Sequence, residues 1–143
     1  MHKIAIVDDS EVWCMAIAYL LHRAGYAVAT FTDAHTFFQD AKHFDLALID
    51  FSMPSRSYQK EMDGCELIHL VKKSLEEPPI LVLISAFFTK LIIPQVVDLC
   101  PEADAHWDKS ISTEELLVQI QNLLSQRNTS HSKSTSPQAK KSS

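Results

Sequence analysis

The chain has 143 residues, a length typical of one domain whose core buries about two thirds of the unfolded surface. Hydrophobic residues make up 46% and charged residues 22%, which is ordinary for a soluble globular protein. The formal net charge of −5 argues against nucleic acid as a partner, because nucleic-acid-binding proteins need a basic surface to neutralise phosphates.

Apolar runs and helix signals alternate along the chain. Strands are predicted where short β-branched or apolar runs end at polar residues, and helices where capping residues precede apolar residues at helical spacing. The predicted elements, in chain order, are strand 3–7, helix 10–24, strand 26–31, a helix capped by Asp33, strand 46–49, a helix opened by Asp63-Gly64, strand 80–84, a short helix beginning near Pro94, strand 103–107 and a helix capped by Ser112. Five strands alternating with five helices predict a three-layer α/β fold around a parallel sheet.

The chain changes character after about Gln126. The last predicted helix carries its apolar residues on one face, whereas the following residues are mainly Ser, Thr, Lys and Asn with no large apolar side chain. The sequence therefore predicts a domain over residues 1–126 and a disordered Ser/Lys-rich tail over 127–143.

Several classes of protein are excluded by what the sequence lacks. Met1-His2-Lys3 leads directly into a strand-like stretch without the apolar core of a secretory signal, and no stretch approaches the roughly 18 apolar residues of a membrane span. We therefore expect a cytoplasmic protein with no membrane partner. Only Gly25 and Gly64 are glycines, so neither a P-loop nor a G-x-G-x-x-G fingerprint can be present.

The cysteines suggest neither a disulfide framework nor a zinc site. Cys14, Cys65 and Cys100 are an odd number at wide spacings and include no C-x-x-C pair. We expect reduced and mostly buried thiols.

Four apolar runs end on polar residues suited to phosphoryl chemistry. The residues are Asp8 and Asp9, Asp50, Ser85 and Lys109. In an open α/β sheet, ligands bind just beyond the carboxyl ends of the parallel strands, so residues distant in sequence meet in one crevice there. The sequence thus predicts three carboxylates, a hydroxyl and an ammonium in one pocket.

This set of residues resembles the response-regulator receiver domain, the phospho-accepting module of two-component signalling. The resemblance runs from Lys3 to about Gln126, and its motifs are Asp8-Asp9, the acceptor motif Leu48-Ile49-Asp50-Phe51-Ser52-Met53-Pro54, Met62-Asp63-Gly64, Ser85-Ala86 and Lys109. It implies a flavodoxin-like (βα)5 fold with strand order 2-1-3-4-5, similar to the single-domain chemotaxis regulators.

The resemblance also implies a chemistry. Asp50 would accept a phosphoryl group from a histidine kinase or a histidine phosphotransfer protein. Mg²⁺, or Mn²⁺, would be held by Asp8, Asp9, Asp50 and the main-chain carbonyl of Ser52. Lys109 would bridge Asp50 and a phosphoryl oxygen, and the Ser85 hydroxyl would donate to another.

The sequence departs from the family's pattern at two places near the last strand. His106 stands where the family's switch residue is usually Tyr or Phe, so we expect Ser85 and His106 to form the switch, with an ordinary strand role for His106 as the alternative. Ser110 stands where Pro is usual, which predicts a less rigid turn. The loop 55–61 is longer than usual and is expected to be an inert insertion, with a partner contact or gating of water as the alternatives.

The first predicted helix is apolar on nearly every side. Trp13, Ala16, Ile17, Leu20 and Ala24 form the stripe expected to face the core. The opposite side carries uncharged residues that we predict to dock the kinase or phosphotransfer partner; they are Cys14, Met15, Ala18 and Tyr19.

Other functions fit the sequence less well. A hydrolase of haloacid-dehalogenase type needs a second Asp where Ser52 stands, and a flavodoxin-like flavin binder needs a Gly- and Thr-rich loop. The expected protein is therefore not an enzyme beyond its own phosphorylation and dephosphorylation. It would signal to an unidentified downstream protein by phosphorylation-dependent binding or onward phosphorelay; the alternative is a receiver-like scaffold that is not phosphorylated.

Overall fold

A computed structural model describes residues 1–53, 62–86 and 93–141 of the chain, with side chains left undescribed at 93, 94, 96 and 128–141. Its centre is a parallel five-stranded sheet in the order β2-β1-β3-β4-β5. The strands are β1 (Lys3–Val7), β2 (Ala27–Phe31), β3 (Leu46–Asp50), β4 (Ile80–Ser85) and β5 (Ala105–Asp108). The three-layer flavodoxin-like fold and its predicted strand order are confirmed.

Helices connect the strands at the predicted places. They are α1 (Glu11–Arg23), α2 (Ala34–Asp40), α3 (Gly64–Ser74), α4 (Ile93–Leu99) and α5 (Thr113–Lys141), with a short 3-10 helix at Ala41–His43 after α2. Pro94 is the second residue of α4, where the missing N–H costs no helical hydrogen bond. The short helix near this proline is therefore as the sequence predicts.

Side-chain caps fix where the helices begin. The Ser10 side chain accepts a hydrogen bond from Trp13 N, and the Asp33 side chain accepts from the first-turn N–H groups of α2. Asp63 and Glu66 form a reciprocal capping box at α3. Gly25 follows α1 with φ of +100°, a conformation that glycine adopts without the steric cost of a Cβ.

The core lies on both faces of the three central strands, which are buried along almost their whole length. One face packs against α2 and α3 through Phe37, Leu67 and Val71, beside Ala5 and Ile49 of the sheet. The alternate strand residues point to the opposite face, where α1 contacts β1 and β2. Burial on both faces explains why these strands appear as continuous apolar runs in the sequence.

The predicted core stripe of α1 is wrong by about one residue. The buried residues are Cys14, Ile17 and Leu21, whereas Ala16 and Ala24 of the predicted stripe are exposed. Each residue advances a helix by about 100°, so a shift of one position redirects the whole face. Apolar residues on nearly every side of this helix leave its sequence compatible with either orientation.

The helix α5 forms a unit of its own, distinct from residues 1–111. Ser112 caps it by accepting from Glu115 N at 3.1 Å, and Leu116, Ile120 and Leu124 are its buried residues. Its backbone continues as helix to Lys141; the disordered tail expected from residue 127 stays a prediction. Propagating an existing helix costs far less than nucleating one, which allows the polar segment to follow the apolar one.

Some predictions concern residues that the structure does not describe. The predicted insertion 55–61 lies outside the described ranges. Among the helices within those ranges, none is long and apolar enough to cross a membrane.

Candidate functional site

Three carboxylates meet at the carboxyl ends of β1 and β3. A carboxylate oxygen from each of Asp8, Asp9 and Asp50 lies within 4.8 Å of the others. The two strands pair in parallel with Val7 opposite Ile49, so Asp8 and Asp50 follow at the same level. Asp8 and Asp50 are buried, while Asp9 faces solvent, and the cluster is therefore open on one side.

The backbone around Asp8 holds its carboxylate in place. Asp8 N donates to Phe31 O at 2.9 Å, and Ser10 N donates to Asp8 Oδ1 at 2.8 Å. The other oxygen, Oδ2, is buried and has no hydrogen bond among the described residues. A buried carboxylate oxygen without a hydrogen bond needs a positive charge nearby.

Lys109 supplies positive charge to this oxygen. Its Nζ lies 2.6 Å from Asp8 Oδ2 in an ion pair. The same ammonium lies 4.6 Å from the centroid of the Trp13 ring, where the negative face of the indole attracts a cation. The ion pair is thus made with Asp8, whereas the sequence suggested a bridge to Asp50.

The Asp50 carboxyl is difficult to ionise in the metal-free chain. Burial, followed by the charges of Asp8 and then Asp9, raises its pKa from 3.8 to about 7. The Lys109 ammonium and a hydrogen bond donated by Ser52 N act in the opposite direction. Burial and like-charge repulsion thus outweigh the neighbouring cation.

The start of α3 lies directly against the backbone of Asp50. Gly64 N donates to Phe51 O at 2.8 Å, and a Cβ on Gly64 would lie 2.4 Å from Asp50 O. Only glycine fits at such an approach between helix and strand. The requirement for a small residue explains the Asp63-Gly64 pair that opens the helix.

Strands β4 and β5 bring Ser85 and Lys109 to the same edge of the sheet. Asp50 pairs with Ile84, which places the buried Ser85 one residue beyond the acceptor level. Ser85 pairs with Asp108, and Lys109 N donates to Ser85 O at 2.9 Å. The five predicted site residues therefore lie at the carboxyl ends of β1, β3, β4 and β5.

The family comparison agrees with this geometry. The model of the response regulator receiver domain matches residues 4–121. The chain belongs to this family. As a receiver domain, it is a module of two-component signalling proteins, and no curated protein matches it.

Solved receiver structures share the fold at low sequence identity. A CheY-like receiver from Methanospirillum hungatei is 24% identical with a TM-score of 0.76, over 91% of this chain and 98% of that one. The receiver of a putative Luxo repressor from Vibrio parahaemolyticus is 14% identical with a TM-score of 0.76, over 91% and 95%. The BeF3-activated N-terminal receiver of RstA from Klebsiella pneumoniae is 20% identical with a TM-score of 0.70, over 85% and 97%.

The acidic cluster of this receiver domain fits a divalent cation. Its donors are carboxylate oxygens, the ligands that Mg²⁺ and Mn²⁺ prefer. Asp8 Oδ2 is buried without a hydrogen bond among the described residues, and the repulsion that raises the pKa of Asp50 would be relieved by added positive charge.

His106 occupies the expected position in this receiver domain and makes one specific contact. It lies half-buried in β5 opposite Leu83, and its Nε2 lies 2.7 Å from Cys100 O. Because a carbonyl can only accept, Nε2 carries the hydrogen. The imidazole thus connects β5 to the residue that follows α4, a contact that no pattern in the sequence indicates.

The predicted partner-docking face of α1 is corrected at Cys14. Its side chain is 2% exposed, and its Sγ donates to Asp8 O at 3.3 Å; burial and then Asp8 raise the pKa of this thiol to about 11. The exposed apolar residues are Met15 and Tyr19, at 72% and 64%, and Val12, at 79%, which the prediction missed. Ala18 is half-buried. The spacing of residues 12, 15 and 19 was the signal available in the sequence.

Proposed function

We propose that this receiver domain accepts a phosphoryl group on Asp50, with Mg²⁺ or Mn²⁺ bound, from a histidine kinase or a histidine phosphotransfer protein. The observation that supports this proposal is the meeting of Asp8, Asp9 and Asp50 within 4.8 Å, next to the Lys109 ammonium. Asp50 is the acceptor because its carboxylate lies between the acidic pair on β1 and the Ser85 end of β4.

The cation would be held by carboxylates of Asp8, Asp9 and Asp50 and by the carbonyl of Ser52. When bound, it supplies positive charge that neutralises the oxygens of the incoming phosphoryl group. In the transfer, an Asp50 carboxylate oxygen forms a bond to phosphorus while the bond from phosphorus to the donor histidine nitrogen breaks. The nitrogen retains the electron pair, and Asp50 becomes an acyl phosphate.

Two further side chains act on the phosphoryl group in this proposal. Lys109 is held by Asp8 and by the Trp13 ring, so its ammonium is already oriented toward the acidic cluster when negative charge arrives. The Ser85 hydroxyl lies at the end of the neighbouring strand and donates a hydrogen bond to a phosphoryl oxygen once one is present. Charge-assisted hydrogen bonds of this kind are stronger than neutral ones.

Labelling with acetyl phosphate tests the acceptor. The purified chain is incubated with acetyl phosphate and Mg²⁺, and phosphorylated protein is resolved on a phosphate-affinity gel. We expect labelling that is lost in Asp50→Asn and in EDTA and is retained in Glu77→Gln, the same change at an exposed loop carboxylate. Labelling that survives Asp50→Asn would assign the acceptor elsewhere, and no labelling at all would favour the unphosphorylated scaffold.

The exposed residues Val12, Met15 and Tyr19 of α1 form the proposed docking face for the kinase or phosphotransfer partner. This face lies on the helix that follows Asp8 and Asp9 directly, so a partner bound there reaches the acidic cluster. Replacing Met15 and Tyr19 by Glu should slow transfer from the partner while labelling by acetyl phosphate is unchanged. The matched control is Val97→Glu on α4, another exposed apolar residue; equal slowing in this control would remove the docking assignment.

Ser85 and His106 form the proposed path by which phosphorylation changes the surface bound by a downstream protein. His106 already contacts the residue after α4. A movement at the Ser85 end of the neighbouring β4 would therefore reach α4 through His106. His106→Ala should be labelled normally but lose the amide chemical-shift changes of α4 on phosphorylation. Shift changes as large in this variant as in the wild type would leave His106 with an ordinary strand role.

In this proposal the chain catalyses no reaction beyond its own phosphorylation and dephosphorylation. It acts in the cytoplasm by phosphorylation-dependent protein binding or by onward phosphorelay. Transfer of label from the phosphorylated chain to a histidine phosphotransfer protein distinguishes the relay from binding alone.

A further inference from the structure

Cys65 and Cys100 lie close together although they are distant in the sequence. The Cys65 side chain contacts Leu99, which lies 34 residues further along the chain and directly precedes Cys100. Cys65 is the second residue of α3 and is half-buried, whereas Cys100 directly follows α4 and is buried. The Cys65 side chain lies close enough to Cys100 to contribute to the raised pKa of the Cys100 thiol. The Cys65 thiol in turn donates to Leu99 O at 3.7 Å.

Contacts on both sides of the thiols hold the two segments together. His69 Nδ1 lies 2.7 Å from Glu102 Oε1, and Lys72 Nζ lies 3.2 Å from Asp104 Oδ1. These pairs fasten the next two turns of α3 to the chain that follows α4. The two segments that carry the cysteines are therefore held together by contacts that do not depend on the thiols themselves.

We propose that Cys65 and Cys100 are a modification site, at which a hydroperoxide converts the two neighbouring thiols into an intramolecular disulfide. The Cys65 sulfur attacks the distal peroxide oxygen, the O–O bond breaks, and Cys65 becomes a sulfenic acid with release of an alcohol, or of water from hydrogen peroxide. The Cys100 sulfur then attacks the sulfenic sulfur and displaces water. Each sulfur loses one electron, and the peroxide gains two.

The surroundings of the two thiols determine that Cys65 reacts with the peroxide first and Cys100 reacts second. Cys65 is the more accessible. Burial, and then the neighbouring Cys65 side chain, raises the pKa of Cys100 to about 12, which disfavours the reactive thiolate there until a sulfenic acid is beside it. Cys100 is accordingly the resolving thiol. Its position is held by the hydrogen bond from His106 to its carbonyl.

Cys14 provides an internal comparison. It is as buried as Cys100, but its thiol donates to the carbonyl of Asp8 and its pKa is also raised, to about 11. If burial alone governed oxidation, Cys14 and Cys100 would behave alike. The proposal requires that Cys100 be oxidised and Cys14 be spared, because only Cys100 has a sulfur partner.

Peptide mapping after peroxide treatment tests the proposal. The reduced full-length chain is treated with hydrogen peroxide, blocked with a thiol-alkylating reagent, digested with trypsin without reduction and analysed by mass spectrometry. We expect peptides 61–72 and 91–109 joined and two hydrogen atoms lighter than their sum, at least about tenfold above any linkage that includes Cys14. Dithiothreitol should reverse the link.

Three variants make the result decisive. Cys14→Ser should retain the link. Cys100→Ser should leave Cys65 as a sulfenic acid that dimedone captures, and Cys65→Ser should leave Cys100 reduced. Sulfinic or sulfonic acid at Cys65 with Cys100 reduced in the wild type, links between molecules only, or equal oxidation of Cys14 would each overturn the proposal.

Discussion

Replacing the Asp50 carboxyl by an amide should stabilise the metal-free fold. Burial and the charges of Asp8 and Asp9 raise the pKa of Asp50 from 3.8 to about 7, so its ionised form is disfavoured in the folded chain. Each pKa unit corresponds to about 1.4 kcal/mol, which gives a ceiling of about 4 kcal/mol above neutral pH. We expect about 2 kcal/mol for Asp50→Asn, since the amide is itself polar and buried.

The pH dependence of this gain follows from the proton balance. Between the unfolded pKa of 3.8 and the folded pKa of about 7, the folded chain binds more protons than the unfolded chain at this residue. The free energy of unfolding of the wild type therefore falls as the pH rises through this window, and the loss is complete above the folded pKa. Asp50→Asn lacks this loss, so its advantage should grow from about pH 5 to about pH 8.

Urea denaturation in EDTA, followed by tryptophan fluorescence, measures the effect at several pH values. Glu77→Gln is the matched control, because it removes one negative charge at an exposed loop residue and should change the stability little at any pH. A variant at Asp50 that is less stable than the wild type near pH 8, or a gain that Glu77→Gln reproduces, would refute the assignment of strain to the buried acidic cluster.

Four other predictions follow from the site and the ends of the chain. Millimolar Mg²⁺ should raise the melting temperature of the wild type, because a cation bound only by the folded state stabilises it, and this rise should shrink in Asp9→Asn. In urea titrations, Gly64→Ala should cost about 1–3 kcal/mol through its clash with the Asp50 carbonyl. A double-mutant cycle of Trp13→Leu and Lys109→Met should show a coupling of about 0.5–1 kcal/mol from the ring under the ammonium. Ending the chain after residue 127 should change the free energy of unfolding by less than about 0.5 kcal/mol, because no large apolar residue follows; a larger loss would show that the polar part of α5 contributes to the fold.

Much of the fold and the placement of the acidic cluster could be predicted from the sequence because both depend on local patterns. Strands buried on both faces are continuous apolar runs, and in a parallel sheet the residue that follows such a run lies at one common edge. Asp8, Asp50 and Ser85 each lie at the end of such an apolar run. The Asp63 cap and the close approach at Gly64 are likewise visible as a pair of residue types at a helix start.

What the sequence did not predict depends on helix rotation and on distant contacts. The burial of Cys14 follows from the rotation of α1, which a helix with apolar residues on nearly every side leaves undetermined. The ion pair of Lys109 with Asp8 and the adjacency of Cys65 and Cys100 join residues whose spacing along the chain carries no signal.

The contact between Gly64 and Asp50 limits the directions in which the domain can respond. Gly64 N donates a hydrogen bond to Phe51 O, and a Cβ on Gly64 would clash with the Asp50 carbonyl, while the Asp63 capping box fixes the first turn of the helix. These contacts couple β3 to α3. In the proposed function, a change that begins at the Asp50 carboxylate would therefore be transmitted across the sheet toward β4 and β5, where Ser85 and His106 lie, with α3 as the support against which that movement occurs.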